Sequence, residues 1–269
     1  MRTKSALSYF GSDSEVAGQL AGILNHCRHV TIPFCGGMSI LPHLTARSIV
    51  ANDLNELAIN FYKVASGFYG DLNQHYLVEK CIHTLSHPKE IERANADITS
   101  ALHIDRAWAY WALCWICRKG KGGTTGEGAG MPSVRWTAVG GTNASRIRAA
   151  ADDMPAWAKH FERCEWLCED FRTLLPKVHD DISCGVYCDP PWRGLGDGYV
   201  HKFTDDDHQE LAVALNRFDH ATVVLRYGDD PYIRDLYCDW TIIDAASRTQ
   251  SNAVKGEIWI TNKAGAAAS

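Results

Sequence analysis

The segment 186–192, VYCDPPW, restricts local structure more than any other stretch of the chain. Its apolar first half, bounded by Gly185 and the prolines, predicts a short buried strand. Pro190 and Pro191 then prevent both helix and strand, because each lacks a backbone N–H and has a fixed φ. We therefore expect a stiff corner that presents Asp189 and Trp192 at the carboxyl end of the strand, where open α/β sheets bind ligands.

The residue types at this corner fit a ligand that donates hydrogen bonds. A carboxylate and two free backbone carbonyls accept hydrogen bonds, and the DPPW corner itself offers no hydroxyl or thiol nucleophile. The flat ring of Trp192 is suited to stacking on a heterocycle. An exocyclic amine on a nucleobase would satisfy both features. The alternative interpretation is a proline-stiffened strand exit with an incidental acid.

A second candidate site follows the β-rich run 30–34. Cys35, Gly36 and Gly37 come directly after it, and glycine lets the backbone approach a bound molecule closely. The next predicted strand, 48–51, leads into Asp53, at a place where a carboxylate can bind ribose hydroxyls. Together they indicate a nucleotide-cofactor site. A plain glycine turn and a helix-capping acid are the alternatives.

Helical periodicity dominates residues 65–158, whereas strands and helices alternate on either side. The sequence therefore predicts a discontinuous α/β domain, 1–64 and 159–269, with a mainly helical insert, 65–158. The longest predicted helix, 104–118, carries an aromatic stripe and a CxxC pair, which we interpret as core residues and not as metal ligands. These residues are Trp108, Trp111, Trp115, Cys114 and Cys117.

Positive charge is concentrated in the glycine-rich loop predicted for residues 118–148, although the whole chain carries a formal net charge of -5. Flexible glycines, cations and an indole suit contact with a phosphate backbone. A solvated loop is the alternative. The predicted nucleic-acid-binding residues are Arg118, Lys119, Lys121, Arg135, Trp136, Arg146 and Arg148.

Composition argues against several classes of protein. No apolar run approaches the roughly 20 residues of a membrane helix, and the N-terminal residues are too polar for a signal peptide. The 10 cysteines are scattered, which is typical of reduced thiols in a cytosolic protein. We expect a cytoplasmic monomer or weak dimer without a membrane partner.

Seven motifs occur in an order that resembles the D12 class of N6-adenine DNA methyltransferases, the Dam-like family. They are SYFGS, PFCGGMS, IVANDLNELAINFYKV, EDF, VYCDPPW, FT and EIWITN. The resemblance implies a Rossmann-like sheet with a helical target-recognition insert. It also implies a bacterial or phage-encoded enzyme, of the kind found in restriction–modification systems. Such an enzyme transfers a methyl group from S-adenosylmethionine to the N6 amino group of an adenine flipped from duplex DNA, without a metal.

The same resemblance assigns residue roles. The catalytic motif corresponds to Asp189, Pro190, Pro191 and Trp192. The cofactor site corresponds to Tyr9, Phe34, Cys35, Gly36, Gly37, Asp53, Asp170, Phe171 and Asp189.

Three positions depart from the family pattern. Asp13 stands where a cofactor-site lysine is usual, Met38 occupies a position that is commonly glycine, and Trp192 replaces the more usual tyrosine. Two alternative functions stay open, the first because the DPPW motif does not separate the substrates and the second because of Asp13. One is methyl transfer to another nucleobase amino group, cytosine N4 or an RNA adenine. The other is a degenerate DNA-binding homologue without catalysis.

Overall fold

The computed structural model describes residues 5–8, 14–117, 142–193, 202–248 and 254–262. The α-helices are α1 Ser14–Leu24, α2 Glu56–Ala65, α3 Asp71–Ile82, α4 Pro88–Asp97, α5 His103–Ile116, α6 Asn143–Phe161, α7 Phe171–Leu174, α8 Asp205–Leu215 and α9 Pro231–Leu236. The strands are β1 His29–Ile32, β2 Ser48–Asn52, β3 Cys164–Leu167, β4 Cys184–Cys188, β5 Thr222–Gly228, β6 Thr241–Arg248 and β7 Val254–Thr261. Short 3-10 turns occupy Leu41–His43 and Leu175–Lys177.

The seven strands form one sheet in the order β3-β2-β1-β4-β5-β7-β6. Strand β1 is parallel to β2 and β4, and β4 is parallel to β5, whereas β7 is antiparallel to β5 and β6. Strand β4 is buried at every position, as expected for a parallel strand covered on both faces. The order reverses between β1 and β4, which marks the ligand crevice of doubly wound sheets. The predicted Rossmann-like α/β class is confirmed.

The chain separates into two compact units. The first comprises Met1–Ala17, Gly36–Pro42 and Asn55–Cys168, and it contains helices α2 to α6. The second comprises Gly18–Cys35, His43–Leu54 and Glu169–Ser269, and it contains every strand except β3. The domain boundaries predicted from the sequence stay a prediction. In the part of the chain that the structure describes, no helix is long and apolar enough to cross a membrane.

The aromatic stripe of α5 lies in the core of the first unit. Trp108, Trp111 and Trp115 are all buried, which confirms their interpretation as a core face. Two of the indoles donate hydrogen bonds: the Nε1 of Trp108 to Thr84 Oγ1 at 2.8 Å and that of Trp115 to the Ala6 carbonyl at 3.1 Å. These bonds reduce the free-energy cost of burying the indole N–H groups. The neighbouring pair Cys114 and Cys117 consists of buried thiols, also as predicted.

Helix α6 begins at Asn143, within the segment 118–148 for which the sequence predicts a glycine-rich loop. Thr142 caps it, because its side chain accepts a hydrogen bond from the Ser145 N–H at 3.1 Å. Pro155 lies inside the helix, although proline is more typical of a first turn and removes one intrahelical hydrogen bond. As a result, Arg146 and Arg148 lie on a helix, and their predicted place in a flexible loop is wrong.

Helix α8 begins at Asp205, directly after its N-cap residue Thr204. The Thr204 hydroxyl accepts from the Asp207 N–H at 3.3 Å, and the Asp207 carboxylate accepts from the Thr204 N–H at 2.6 Å. This capping box fixes the first turn of the helix. Leu211 and Leu215 on the helix then join the core that covers β4 and β5. Strand β4, which carries the candidate site, is therefore covered by a packed helix.

Candidate active site

Strand β4 carries the DPPW corner to the carboxyl edge of the sheet. The strand ends at Cys188, and Asp189, Pro190, Pro191 and Trp192 follow it outside any helix or strand. Because β4 pairs with β1 on one side and β5 on the other, the corner lies at the reversal of strand order. The expected geometry is present, and the catalytic roles of these residues stay predictions.

Both carboxylate oxygens of Asp189 have partners. The indole Nε1 of Trp192 donates to Oδ1 at 3.3 Å, and Nη1 of Arg226 donates to Oδ2 at 3.4 Å. The side chain is nevertheless 30% exposed, and each carboxylate oxygen can accept a second hydrogen bond. Asp189 can therefore accept a hydrogen bond from an incoming amino group while Trp192 and Arg226 fix the orientation of its carboxylate.

Arg226 is a functional candidate that the sequence analysis missed. It lies buried on β5 and donates from Nε and Nη2 to the two carboxylate oxygens of Glu257 on β7, at 2.8 and 2.9 Å. The Nε1 of Trp259 also donates to Glu257, at 2.9 Å. One signal was available: an arginine and a glutamate within apolar strand sequences, VVLRYG and EIWIT, need partners when they are buried.

Opposing influences set the proton affinity of Asp189. Burial raises the pKa of its carboxyl, and the charge of Glu257 raises it further, whereas Arg226 and Trp192 lower it, leaving it above the ordinary value. Burial lowers the pKa of Arg226, but Asp189 and Glu257 outweigh that effect, so Arg226 is a permanent cation. Any activity that requires ionised Asp189 should therefore decline as the pH falls through this raised pKa.

The ring of Trp192 lies directly against strand β5. A Cβ atom added at Gly228 would be 2.8 Å from Cε3 and 3.3 Å from Cζ3 of that ring. The guanidinium carbon of Arg226 lies 5.6 Å from the ring centroid, within the range of a cation–π interaction. The absence of a side chain at Gly228 therefore allows the observed position of the indole.

We expect Gly228→Ala to displace the Trp192 ring and raise the KM for nucleic-acid substrate about tenfold, because base stacking is worth about 1–3 kcal/mol. Steady-state kinetics with the substrate varied would measure this. Gly22→Ala is the matched control, since a Cβ atom at Gly22 meets nothing within 4 Å. If both variants keep the wild-type KM, the position of the ring has no bearing on substrate binding.

The candidate residues after β1 and β2 lie beside one another. The backbone N–H of Cys35 donates to the Asn52 carbonyl at 2.8 Å, and its thiol lies 3.9 Å from Asp53 Oδ2. The alternative role of Asp53 as the cap of α2 is wrong. Asn55 is the N-cap, with Oδ1 accepting from the backbone N–H groups of Leu57 and Ala58 at 3.1 and 3.3 Å. The half-buried Asp53 carboxylate is thus placed to contact a ligand at the edge of the sheet.

The glycine turn has an unusual backbone. Gly36 has a φ of 46° and Met38 a φ of 56°, both in the left-handed region. Glycine adopts this region freely, whereas a side chain makes it costly. The Gly36 carbonyl also accepts a hydrogen bond from the Tyr62 hydroxyl at 2.6 Å. This turn, which includes Gly37, is held in a conformation that would let a ligand approach the main chain.

Three phenylalanines form a cluster in the second unit. Phe34 lies 5.7 Å from Phe171 and 5.6 Å from Phe203, measured between ring centroids. Phe203 is a member that the sequence analysis missed. Asp170 caps α7 by accepting from the Arg172 N–H at 2.8 Å, and its carboxylate also pairs with the Arg172 guanidinium at 3.1 Å. Phe171 is buried, whereas Phe34 and Phe203 are half-buried and keep part of their apolar rings exposed, and the Asp170 carboxylate is already engaged.

The predicted nucleic-acid-binding residues fall into two groups. Arg146 places its guanidinium carbon 5.6 Å from the centroid of the Trp115 ring, and Arg148 donates to the Ile82 carbonyl at 2.8 Å. Both residues are thus engaged within the first unit, and their contact with DNA stays a prediction. The candidates that lie outside the described residues are Tyr9, Arg118, Lys119, Lys121, Arg135 and Trp136, together with the atypical Asp13.

The chain is similar to known proteins both in sequence and in structure. A 32% identical segment of 88 residues matches the Retron Ec67 DNA adenine methylase of Escherichia coli, covering 32% of this chain and 30% of that protein. The chain thus matches less than a third of this relative's length. An O-methyltransferase from Bacillus cereus, solved in complex with SAH, aligns over 92% of this chain and 81% of its own, with 8% identity and a TM-score of 0.39.

A further similarity spans most of the chain. Residues 9–250 match the family model of D12 class N6 adenine-specific DNA methyltransferases. The match includes β1, β2, the DPPW corner and β5, which together build the candidate site. The chain therefore belongs to the D12 class N6 adenine-specific DNA methyltransferase family.

Proposed function

We propose that this protein transfers a methyl group from S-adenosylmethionine to the N6 amino group of adenine in DNA. One observation carries the proposal: a partly exposed Asp189 carboxylate and the ring of Trp192 stand together at the reversal of strand order. A carboxylate accepts hydrogen bonds from an amino group, and an indole stacks on a base. Membership in the family supports adenine as the base and DNA as the polymer.

The residues at the ends of β1 and β2 fit an adenosyl cofactor. The Asp53 carboxylate would accept hydrogen bonds from ribose hydroxyls, and the cluster of Phe34, Phe171 and Phe203 would contact the adenine ring. The left-handed backbone at Gly36 would let the main chain approach the ligand. When bound, the cofactor supplies an activated methyl group, and the remaining catalysis comes from the chain itself.

The chain's contribution would be to present the amino group correctly. The target base must leave the duplex stack, which costs a few kcal/mol, and stacking on Trp192 would offset part of that cost. Asp189 and the Pro190 carbonyl would accept hydrogen bonds from N6 and orient its lone pair. As the new N–C bond forms and the bond from the methyl carbon to the donor sulfur breaks, positive charge moves from that sulfur to N6. The Asp189 carboxylate would stabilise it, and the excess proton would leave to solvent.

Asp53→Ala should weaken binding of S-adenosylmethionine by about 10- to 100-fold, because a hydrogen bond to a charged group contributes about 1.5–3 kcal/mol. Isothermal titration calorimetry on the wild-type and variant proteins would measure the two dissociation constants. Asp239→Ala, which removes an exposed aspartate before β6, is the matched control. Equal dissociation constants for all three proteins would remove Asp53 from the cofactor site.

Neutralising Lys119 and Lys121 together should lower the log–log salt dependence of DNA binding by nearly two units, about 0.9 for each lost phosphate contact. Affinity should fall about equally for two unrelated duplexes, and cofactor affinity should not change. Fluorescence anisotropy across a salt series would measure the slopes. The matched control neutralises Lys89 and Lys177, which pair with Glu92 and Glu169. A wild-type slope in the loop variant would mean that DNA binds elsewhere.

Within the segment predicted as a loop, Arg135 and Trp136 are the candidates for reading a base edge, because an arginine and a tryptophan are adjacent in the sequence there. A contact from either residue to a base edge would make DNA binding depend on the base sequence, whereas contacts to phosphates would not. Loss of such a contact should relax preference at one base position, at about 1–3 kcal/mol.

Incubation with radiolabelled S-adenosylmethionine and separate duplex DNA, single-stranded DNA and RNA would test the proposal. Label in duplex DNA, in adenine, is the expected result. Label in RNA or in cytosine would indicate a methyltransferase with a different amino-group substrate. DNA binding without any transfer of label would indicate a degenerate homologue, the alternative raised by Asp13.

We also infer that the protein is bacterial or phage-encoded and acts in the cytoplasm. The DNA substrate and the free cysteines of the described residues support this setting. A monomer or weak dimer is the inferred state, and a flipped adenine in the duplex is the inferred bound form.

A further inference from the structure

We propose that Arg226 and Glu257 act as a positioning pair for Asp189: Arg226 holds the carboxylate in place, and Glu257 cancels the charge that Arg226 brings. The effect on turnover rests on the proposed function, whereas the effect on Asp189 itself does not. Arg226 uses two nitrogens for Glu257, at 2.8 and 2.9 Å, and its third for Asp189, at 3.4 Å. A single guanidinium fork thus joins β7 to the DPPW corner.

The burial of the pair indicates a role other than stability. The side chains of Arg226 and Glu257 are 5% and 0% exposed. A buried ion pair gains little over well-packed apolar side chains, because desolvation of both charges offsets their attraction. The neighbours on β5 and β7, such as Leu225, Ile258 and Ile260, are apolar. Two charges in this setting are best explained by what they do to the adjacent Asp189.

The charges of the cluster formed by Asp189, Arg226 and Glu257 explain why both Arg226 and Glu257 are needed. Asp189 and Glu257 are acids and Arg226 is a base, so the cluster carries one net negative charge when all are ionised. Arg226 alone would neutralise Asp189 and weaken its attraction for a developing positive charge on N6. Glu257 alone would oppose the ionisation of Asp189. With both present, Asp189 is oriented and the cluster stays negative.

The other titratable groups that face Asp189 are neutral near pH 7. Burial raises the pKa values of the Tyr187 and Tyr227 hydroxyls and of the Cys188 thiol above their ordinary values. Among the described residues, Arg226 and Glu257 are the charged groups with the largest effect on the pKa of Asp189. The guanidinium carbon of Arg226 also lies 5.6 Å from the centroid of the Trp192 ring. Arg226 therefore contacts both Asp189 and Trp192.

The most direct test is the pKa of Asp189 in the intact protein, followed by carboxyl NMR after aspartate labelling. The signal is assigned by its absence in Asp189→Asn. We expect Arg226→Met to raise this pKa and Glu257→Gln to lower it, each by about one unit or more. Arg234→Met is the control, because Arg234 pairs with Asp229 at 2.6 Å and should leave Asp189 unchanged. Equal pKa values in all variants would overturn the proposal.

Turnover provides the second readout. The acid limb of the kcat profile should move to higher pH in Arg226→Met and to lower pH in Glu257→Gln, whereas a merely structural role would lower kcat without opposite shifts. Arg226→Lys keeps the charge and should preserve the wild-type acid limb, with a lower kcat because the fork is lost.

A double variant, Arg226→Met with Glu257→Leu, separates an effect on catalysis from a loss of folding. Replacing both charges with apolar groups should keep the fold, while kcat falls at least tenfold. A wild-type kcat in the folded double variant would overturn the proposal. If the wild-type protein transfers no methyl group, the proposed function fails, and the pKa measurement still decides whether the pair acts on Asp189.

Discussion

Asp189→Ala should lower the rate of methyl transfer on the order of 10²-fold or more and leave the fold intact. The variant loses the one carboxylate that the DPPW corner presents, and loss of a preorganised group that stabilises transition-state charge has effects of this size. Single-turnover kinetics with labelled cofactor would measure the rate, and circular dichroism would confirm folding.

Asp239→Ala serves as the matched control, since it removes an exposed aspartate from the same unit of the protein. The catalytic assignment requires that only the Asp189 variant lose activity. Near-normal turnover in Asp189→Ala would show that another group holds the amino group, and the corner would return to a structural role.

Trp192→Ala should reduce kcat/KM for DNA by about 10- to 100-fold, because stacking of a base on an aromatic side chain is worth about 1–3 kcal/mol. Trp192→Phe keeps a flat ring but loses the Nε1 donor to Asp189, which lies 3.3 Å from Oδ1. Because a flat ring is kept, the decrease in kcat/KM should be smaller in Trp192→Phe than in Trp192→Ala. Steady-state kinetics with varied DNA would rank the three proteins.

Trp240→Phe is the control for tryptophan replacement, because Trp240 donates to Asn216, the C-cap residue of α8, and is not one of the candidate site residues. It should behave as the wild type does. If Trp192→Ala also keeps its kcat/KM, the base does not stack on this ring, and the position of the indole against Gly228 has another purpose.

The parts of the site that the sequence predicts depend on local chemistry. Two prolines after a short apolar run fix the end of β4. Such signals need only a few neighbouring residues, so they can be read without knowing the fold. The aromatic stripe of α5 is equally local, because helical spacing places its members on one face.

The Arg226–Glu257 pair could not be predicted in this way. The two residues are 31 positions apart, on β5 and β7. They meet because those strands pair in the antiparallel direction, with Gly228 opposite Glu257 and Arg226 opposite Trp259. No periodic pattern in the sequence indicates which residues of β5 and β7 pair with each other. The same holds for Gly228, whose relation to Trp192 arises only when β5 and the DPPW corner lie together.

The start of α6 was missed for a different physical reason. Pro155 resembles a first-turn residue, yet the helix tolerates it in its interior. Burial of Ile147, Met154 and Trp157 along the helix contributes hydrophobic free energy that can offset the lost hydrogen bond. Tertiary packing thus overrides a local signal and moves Arg146 and Arg148 from the loop to a helix.

The chemical identity of the modified nucleoside tests the proposed function most directly. DNA from a host without adenine methylation, expressing either the wild-type protein or Asp189→Ala, would be digested to nucleosides and analysed by mass spectrometry. We predict N6-methyladenine in the wild-type sample and its loss in the variant sample. N4-methylcytosine in its place, or no modified base with a folded wild-type protein, would contradict adenine methylation by this chain.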